Sequence, residues 1–347
     1  MNRRPLGRTG IDVSELCLGT MTFGTQTPEA DAHQQMDMAL DHGIDFWDTA
    51  EMYPVNPVAA ETIGDSERIL GNWFTKTGRR DDVILATKHS GQGLRIVRDG
   101  AEISKATIFE CVEGNLRRLQ TDYIDLYQFH WPNRGSYMFR QNWRFDPAQQ
   151  DKAHTLENME ECLEALQELV QQGKIRAFGL SNESAWGTAQ WLRIAEAKGL
   201  PRVASIQNEY SLLCRLYDTD LAELSHHEDV GLLAFSPLAA GYLTGKYQLG
   251  EVPAGSRMSL QPTMGGRQTD RVGPAAAAYL DIAEKHGLDP IQLAIGFCLS
   301  RPFMASVIFG ATTLGQLKHI LALQDYSFSD EVLRDIDAAH RAHPMPY

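Results

Sequence analysis

Eight short runs rich in apolar and β-branched residues, at 15–21, 45–50, 83–89, 123–131, 177–182, 204–210, 231–237 and 305–310, alternate with segments of helical periodicity along the 347 residues. In the clearest helical segment, 155–173, Leu156, Met159, Leu163, Leu166 and Val170 recur every three or four positions and so share one face. Glycines stand where such helices should stop, at Gly43, Gly78, Gly173, Gly199 and Gly287. Thr27-Pro28 and Asp289-Pro290 read as helix starts, a capping side chain followed by proline in the first turn. Eight strand-then-helix units without a change of composition between halves predict an α/β chain folded as a closed parallel (β/α)8 TIM barrel, rather than an open doubly wound sheet. Residues 1–347 are read as one barrel domain. An early β-hairpin at 3–13, turning at Gly7-Arg8-Thr9-Gly10, would close the bottom of the barrel, and 329–343 would add an extra C-terminal helix outside it.

The spacing between strands is uneven. Segments 54–64, 132–154 and 239–273 each follow the C-terminal end of a strand, the face where barrels do chemistry, and are expected to wall a substrate pocket. Three consecutive strands would deliver Asp48, Tyr53, Lys88 and His130 to that face. Parallel neighbours lie about 4.8 Å apart, so these residues can meet despite dozens of intervening positions. A phenol beside an ammonium, a carboxylate and an imidazole suits protonation of a carbonyl oxygen while a hydride arrives at the carbon.

A free tyrosine has a pKa of about 10, and lowering it by about 2–3 units would make it a ready donor near neutrality. Lys88 could do this only where water is scarce, because a charge at about 4 Å contributes about 1 kcal/mol in bulk water and about 4 at an effective dielectric of 20. The site is therefore expected to be partly dry, walled by Trp131 and a bound cofactor. Asp48 would hold Lys88 charged and oriented. His130 would be a neutral hydrogen-bond partner of the carbonyl oxygen. A different chemistry would use Lys88 as the Schiff-base nucleophile of a barrel lyase. Asp48 and Tyr53 oppose that by favouring the charged ammonium.

Composition narrows the field further. A formal charge of −13 and a pI near 5.3 argue against a nucleic-acid partner. Five scattered cysteines, an odd number, read as reduced cytoplasmic thiols. The N-terminus lacks the apolar stretch of a signal peptide and no later run approaches a membrane span, so no membrane association is expected. The sequon at Asn182 is then a coincidence. No Gly-x-Gly-x-x-Gly opens a helix after a strand, the segment from Gly241 to Lys246 is one residue short of a Walker loop, and no Gly-x-Ser-x-Gly elbow is present. His226-His227-Glu228-Asp229 reads as a solvated helix end, and no metal is expected.

The motifs around these residues resemble the aldo-keto reductases from about Arg4 to the last helix. The likeness rests on the run from Gly43 to Ala50 with Tyr53, on the strand with Lys88, and on Asp125-Leu126-Tyr127-Gln128-Phe129-His130. The run from Gly173 to Asn182 and Phe235-Ser236-Pro237-Leu238 carry it too. It implies NADPH-dependent reduction of a small-molecule carbonyl, with Tyr53 as proton donor and Asp48, Lys88 and His130 around it. It also implies that Ser181, Asn182 and Gln207 hold the nicotinamide carboxamide, that Phe235 stacks on its ring, and that Gly19, Thr20 and Met21 lie beside the cofactor. Ser236, Pro237, Leu238 and Lys246 would follow the pyrophosphate, with Arg257, Gly310, Thr312 and Gln316 near the adenosine phosphate.

The sequence differs from many family members at three places. Phe309-Gly310-Ala311-Thr312 and Gln316 stand where a Lys-Ser pair and an Arg are common, which weakens the expected preference for NADPH over NADH. His319 and Ile320 replace acidic and amide residues near the adenine, and an insertion at 54–64 separates Tyr53 from Ser66-Glu67-Arg68. The version with Phe309-Gly310-Ala311-Thr312 and Gln316, together with Ser236-Pro237-Leu238 and Ser256-Arg257, is similar to the branch holding the potassium-channel β subunits and related bacterial reductases, which admits a second role as a cofactor-sensing regulatory subunit with incidental turnover. His130 favours catalysis, since those subunits carry an amide there.

Overall fold

The computed structural model of the protein describes residues 1–323 and 326–347. Strands β1 (Arg3–Pro5) and β2 (Asp12–Ser14) pair antiparallel as the expected hairpin. Then follow β3 (Leu16–Gly19), α1 (Glu29–Asp41), β4 (Phe46–Asp48), α2 (Asp65–Thr77), β5 (Ile84–His89), α3 (Lys105–Leu119), β6 (Ile124–Phe129) and α4 (Lys152–Gln171). The chain continues through β7 (Ile175–Ser181), α5 (Ala185–Lys198), β8 (Val203–Glu209), α6 (Asp220–Glu228) and β9 (Gly231–Phe235). Helices α7 (Arg257–Leu260), α8 (Val272–Lys285) and α9 (Pro290–Leu299) precede β10 (Met304–Phe309), and α10 (Leu314–Ala322) and α11 (Asp330–Ala342) close the chain. Strands β3 to β10 form a closed, all-parallel barrel in the order β10-β3-β4-β5-β6-β7-β8-β9. This is the (β/α)8 TIM barrel expected from the sequence, with α11 packed against α8 outside it.

Local signals set the helix ends. Gly78 and Gly199 are left-handed C-caps of α2 and α5, a conformation that glycine adopts without a steric penalty. Asp289 caps α9 by accepting from the Ile291 and Gln292 N–H groups, with Pro290 in the first turn, as anticipated. Thr27 does not play that part for α1. The helix starts after Pro28 without a side-chain cap, and the Thr27 hydroxyl pairs with that of Thr22 at 3.1 Å instead. Helix α4 starts within the segment expected as loop, because the Asp151 carboxylate caps the N–H groups of Ala153 and His154.

Strand alternation sorts the barrel interior into layers. Near the bottom, Cys17, Phe46, Ala86, Leu126, Ala177, Ala204, Leu233, Ala305 and Ile308 point inward and pack against Leu6, Ile11 and Val13 of the hairpin. The alanines leave room for that plug. Two residues further along the strands, the same inward face carries Asp48, Lys88 and Gln128, so the apolar floor supports a polar layer at the catalytic end. Opposite β7, an extra residue in β8 shifts the register between Phe178↔Val203 and Leu180↔Ile206, and this irregularity turns Gln207 toward the same layer.

The hairpin turn presses closely on the barrel. Gly7 has φ +57°, and a Cβ there would lie 2.5 Å from the Ala204 carbonyl oxygen. A Gly7→Val variant is expected to lose about 1–3 kcal/mol of stability, measured by urea unfolding. An unchanged midpoint would mean that the plug does not bear on β8.

Candidate active site

The Lys88 ammonium is fully buried inside the barrel mouth. Its Nζ donates to Asp48 Oδ2 at 2.6 Å and to the Thr49 carbonyl at 2.7 Å, and lies 3.5 Å from the Tyr53 hydroxyl. Asp48 is fixed from its other side, where Oδ1 accepts from Gln207 Nε2 at 2.8 Å and Gln128 Nε2 at 3.1 Å. Gln207 also donates to Gln128 Oε1 at 3.0 Å, so carboxylate and amides form one network. The Tyr53 and His130 rings meet edge to face with centroids 5.7 Å apart, and Trp131 lies 5.0 Å beyond His130. The four residues singled out from the sequence therefore converge on one nearly dry site.

Burial opposes the charge on Lys88, but Asp48 and the Tyr53 oxygen outweigh it and its pKa lies above the ordinary lysine value. For Tyr53 the sign differs from the sequence-based expectation. Burial raises its pKa and Asp48 adds to that, and the nearby Lys88 charge only partly offsets them, so the phenol lies above 10 rather than below. His130 is pushed well below its usual value by burial and by the Lys88 charge, and is neutral. Its Nδ1 is buried without a hydrogen-bond partner. An unpaired buried N–H is costlier than an empty lone pair, so the proton belongs on Nε2.

The residues expected to hold a nicotinamide cofactor line neighbouring strand ends from β7 through β8, β9 and β10 to β3. Ser181 Oγ donates to the Gln207 carbonyl at 2.8 Å, and Asn182 Nδ2 donates to the His130 carbonyl at 2.9 Å. Asn182 Oδ1 is buried with no partner, an acceptor free for an incoming amide N–H. Gly19 and Gly310 stand side by side, and Gly19 fits because a Cβ there would meet the Phe309 carbonyl at 3.0 Å. Thr20 is fully buried, its hydroxyl donating to the Asp48 carbonyl, while Met21 packs against the small cluster that holds Ala50, Met52, Tyr53 and Val97. Phe235 ends β9 half-buried, and the backbone then runs through left-handed Ser236, Ala239, Ala240 and Gly241 beside Pro237 and Leu238.

Lys246 and Arg257 lie on the long segment after β9, and among the described residues neither has a carboxylate partner. Gly241 makes room for Lys246, since a Cβ there would lie 2.7 Å from its Cε. Burial and the Arg267 charge pull the Arg257 guanidinium below its ordinary value. At the far end, Gln316 Oε1 accepts from the Thr312 N–H at 2.8 Å, and Ile320 is a core residue rather than a groove residue. This donor set fits a dinucleotide: an orphan amide acceptor, a left-handed backbone turn and, among the described residues, two cations without a carboxylate partner. In the His226–Asp229 run, Glu228 pairs with Arg202 and Asp229 with Arg8.

Sequence reasoning missed Gln128, although it shares the inward face of His130 two positions away, a signal that alternation supplies. It also missed Glu51 and Arg98. Arg98 grips both Glu51 oxygens at 2.5 and 2.7 Å, and the Ser90 N–H reaches Oε1 at 2.6 Å. The five cysteines are free, and buried Asn182 is no glycosylation acceptor. No described helix is long and apolar enough to cross a membrane.

Comparison with known proteins matches residues 15–341 to the sequence model of the aldo/keto reductase family. The chain belongs to the aldo/keto reductase family. It is 43% identical to Protein tas of Escherichia coli, over all of this chain and 99% of that protein. It is 33% identical to YrpG of Bacillus subtilis, described as an uncharacterized oxidoreductase, over 95% and 93% of the two chains. A probable voltage-gated potassium channel subunit beta of Arabidopsis thaliana is 32% identical over 94% and 92%. Membership supports oxidoreductase activity and a nicotinamide cofactor in general terms.

One pH dependence follows from this site. Burial alone would raise the Glu51 carboxyl, but Arg98 and the Ser90 N–H outweigh it and hold the pKa near 2, against an ordinary 4.5. A lowered folded-state pKa contributes stability in full above the ordinary value, and that contribution is lost as pH falls toward about 2. Urea midpoints measured across this window should fall more steeply for the wild type than for Glu51→Gln; parallel curves would contradict it.

Proposed function

We propose that this protein reduces aldehydes or ketones to alcohols with NADPH, Tyr53 giving the proton to the carbonyl oxygen. The observation that carries this reading is the Lys88 Nζ to Tyr53 hydroxyl contact at 3.5 Å in a dry site. NADPH, when bound, would supply the hydride. The substrate oxygen would sit between Tyr53 and His130, whose Nε2–H orients it. Tyr53 needs no lowered pKa for this. An alkoxide is a far stronger base than a phenolate, so a fully protonated phenol above 10 is a competent acid, and Lys88 stabilises the phenolate left behind.

The ammonium of Lys88, held by Asp48 and the Thr49 carbonyl, argues against the Schiff-base lyase, which needs a neutral amine. The channel-subunit relatives favour a second reading, a cofactor-sensing regulatory role in which turnover is incidental. Tight NADPH binding without reduction across a broad panel of aldehydes, ketones and quinones would select it. Cofactor choice leans to NADPH over NADH through Lys246 and Arg257, though Thr312 and Gln316 leave the preference modest.

Tyr53→Phe is expected to abolish reduction, followed by loss of NADPH absorbance, while leaving NADPH affinity nearly unchanged. Loss of both together would contradict the proton-donor role. Phe235→Ala should weaken NADPH binding by about 1–3 kcal/mol through lost burial, read by fluorescence titration. Unaltered affinity would assign the stacking to another ring.

A further inference from the structure

The chemistry proposed above uses Asp48, Tyr53, Lys88 and His130, yet the most heavily tied buried charge beside them is one that it leaves unused. Glu51 lies between Asp48 and Tyr53 in the turn after β4 and is almost wholly buried. Its backbone N–H donates to the Lys88 carbonyl at 3.2 Å, while its carboxylate accepts from the Ser90 N–H, two residues beyond Lys88. Cys111 of α3 adds a contact from its Sγ to Oε2 at 3.2 Å. One residue thus binds the Tyr53 turn to the strand end that carries Lys88, through main chain and side chain together.

Arg98 completes the arrangement. It comes from the segment between β5 and α3, 47 positions away, and reaches both carboxylate oxygens. To deliver it, Arg98 and Asp99 adopt φ +46° and +53°, left-handed values that side-chain-bearing residues avoid. Strain of this kind persists where surrounding structure imposes it and clusters at functional sites. Val97, next to Arg98, packs in the same small apolar cluster as Ala50, Met52 and Tyr53, so this segment touches the catalytic turn directly. A buried ion pair adds little net stability compared with well-packed apolar residues, which makes geometry the better account of its presence. At 3.5 Å the Tyr53–Lys88 contact is also at the limit of a hydrogen bond, so a slight drift of either residue breaks it.

We infer that Glu51 and Arg98 are positioning residues, whose ion pair sets the distance between the Tyr53 hydroxyl and the Lys88 ammonium. The inference rests on the reductase reading. It concerns alignment of the proton donor and not cofactor binding, because neither residue is among those expected to hold the cofactor.

The test compares the wild type with the double variant Glu51→Gln/Arg98→Met, which removes the pair without leaving a lone buried charge, and with Arg98→Lys, which keeps a charge opposite Glu51 but not the two-pronged grip. Steady-state reduction of one aldehyde, the NADPH dissociation constant and the pH profile of kcat are measured for each. The expected result is a kcat lower by about 10–100-fold at NADPH affinity within about twofold of wild type, with the pH profile displaced because Tyr53 has lost its fixed relation to Lys88. Wild-type kcat and pH profile in a folded double variant would overturn the inference. If the double variant does not accumulate, Arg98→Lys decides by the same two outcomes. A wild type that reduces no carbonyl fails the reductase reading and this inference together, whereas an active wild type matched by its variants fails this inference alone.

Discussion

A fully buried ammonium is untenable unless its surroundings replace water, and the mouth of this barrel is organised around doing so for Lys88. The Asp48 carboxylate and the Thr49 carbonyl accept hydrogen bonds from two of its N–H groups, and the third faces the Tyr53 oxygen. Truncating either charged partner would strand the other in a low-dielectric site, a larger cost than the pair's own net contribution. Asp48 is in turn held by two amides, so the charge is compensated, oriented and hydrogen-bonded on all sides. The same closeness that keeps Lys88 charged brings it to the phenol.

The barrel beneath makes that arrangement stiff. Asp48, Lys88 and Gln128 stand two residues above Phe46, Ala86 and Leu126, whose side chains close the floor with the hairpin plug. Period-two alternation in paired parallel strands therefore fixes the polar layer as firmly as the apolar one, and a slip of one residue would turn both out of the barrel. Gln207 breaks the pattern in β8, where the extra residue opposite β7 re-aims it at Asp48.

Much of this was readable from residues, for physical reasons that differ by element. The barrel, the hairpin plug and the convergence of Asp48, Tyr53, Lys88 and His130 follow from periodicity and strand ends, which are local patterns. The bulge that turns Gln207 is invisible in sequence, because register is a property of two strands. Glu51 and Arg98 lie 47 positions apart on loops, where no periodicity relates them. Thr27 looked like a cap because threonine before proline often is one, but tertiary contact with Thr22 claimed its hydroxyl. The direction of the Tyr53 shift depends on how burial balances against Lys88 and Asp48, and that balance needs distances. Gln128 is the avoidable omission, since His130 already named its face.

The charge distribution separates the site from the rest of the surface. The chain carries a net −13, yet carboxylates at the barrel mouth are already committed: Glu51 to Arg98, Glu183 to Arg134, and Glu209 to both Arg140 and Arg267. Among the described residues, Lys246 and Arg257 have no carboxylate partner, and Arg257 is largely withdrawn from solvent. Two such cations would hold a local positive potential against the acidic background, and an anion would meet less repulsion there than elsewhere on the surface. Net acidity does not by itself exclude an anionic ligand, because the local potential is set by the cations left over after local pairing and not by the sum over the chain.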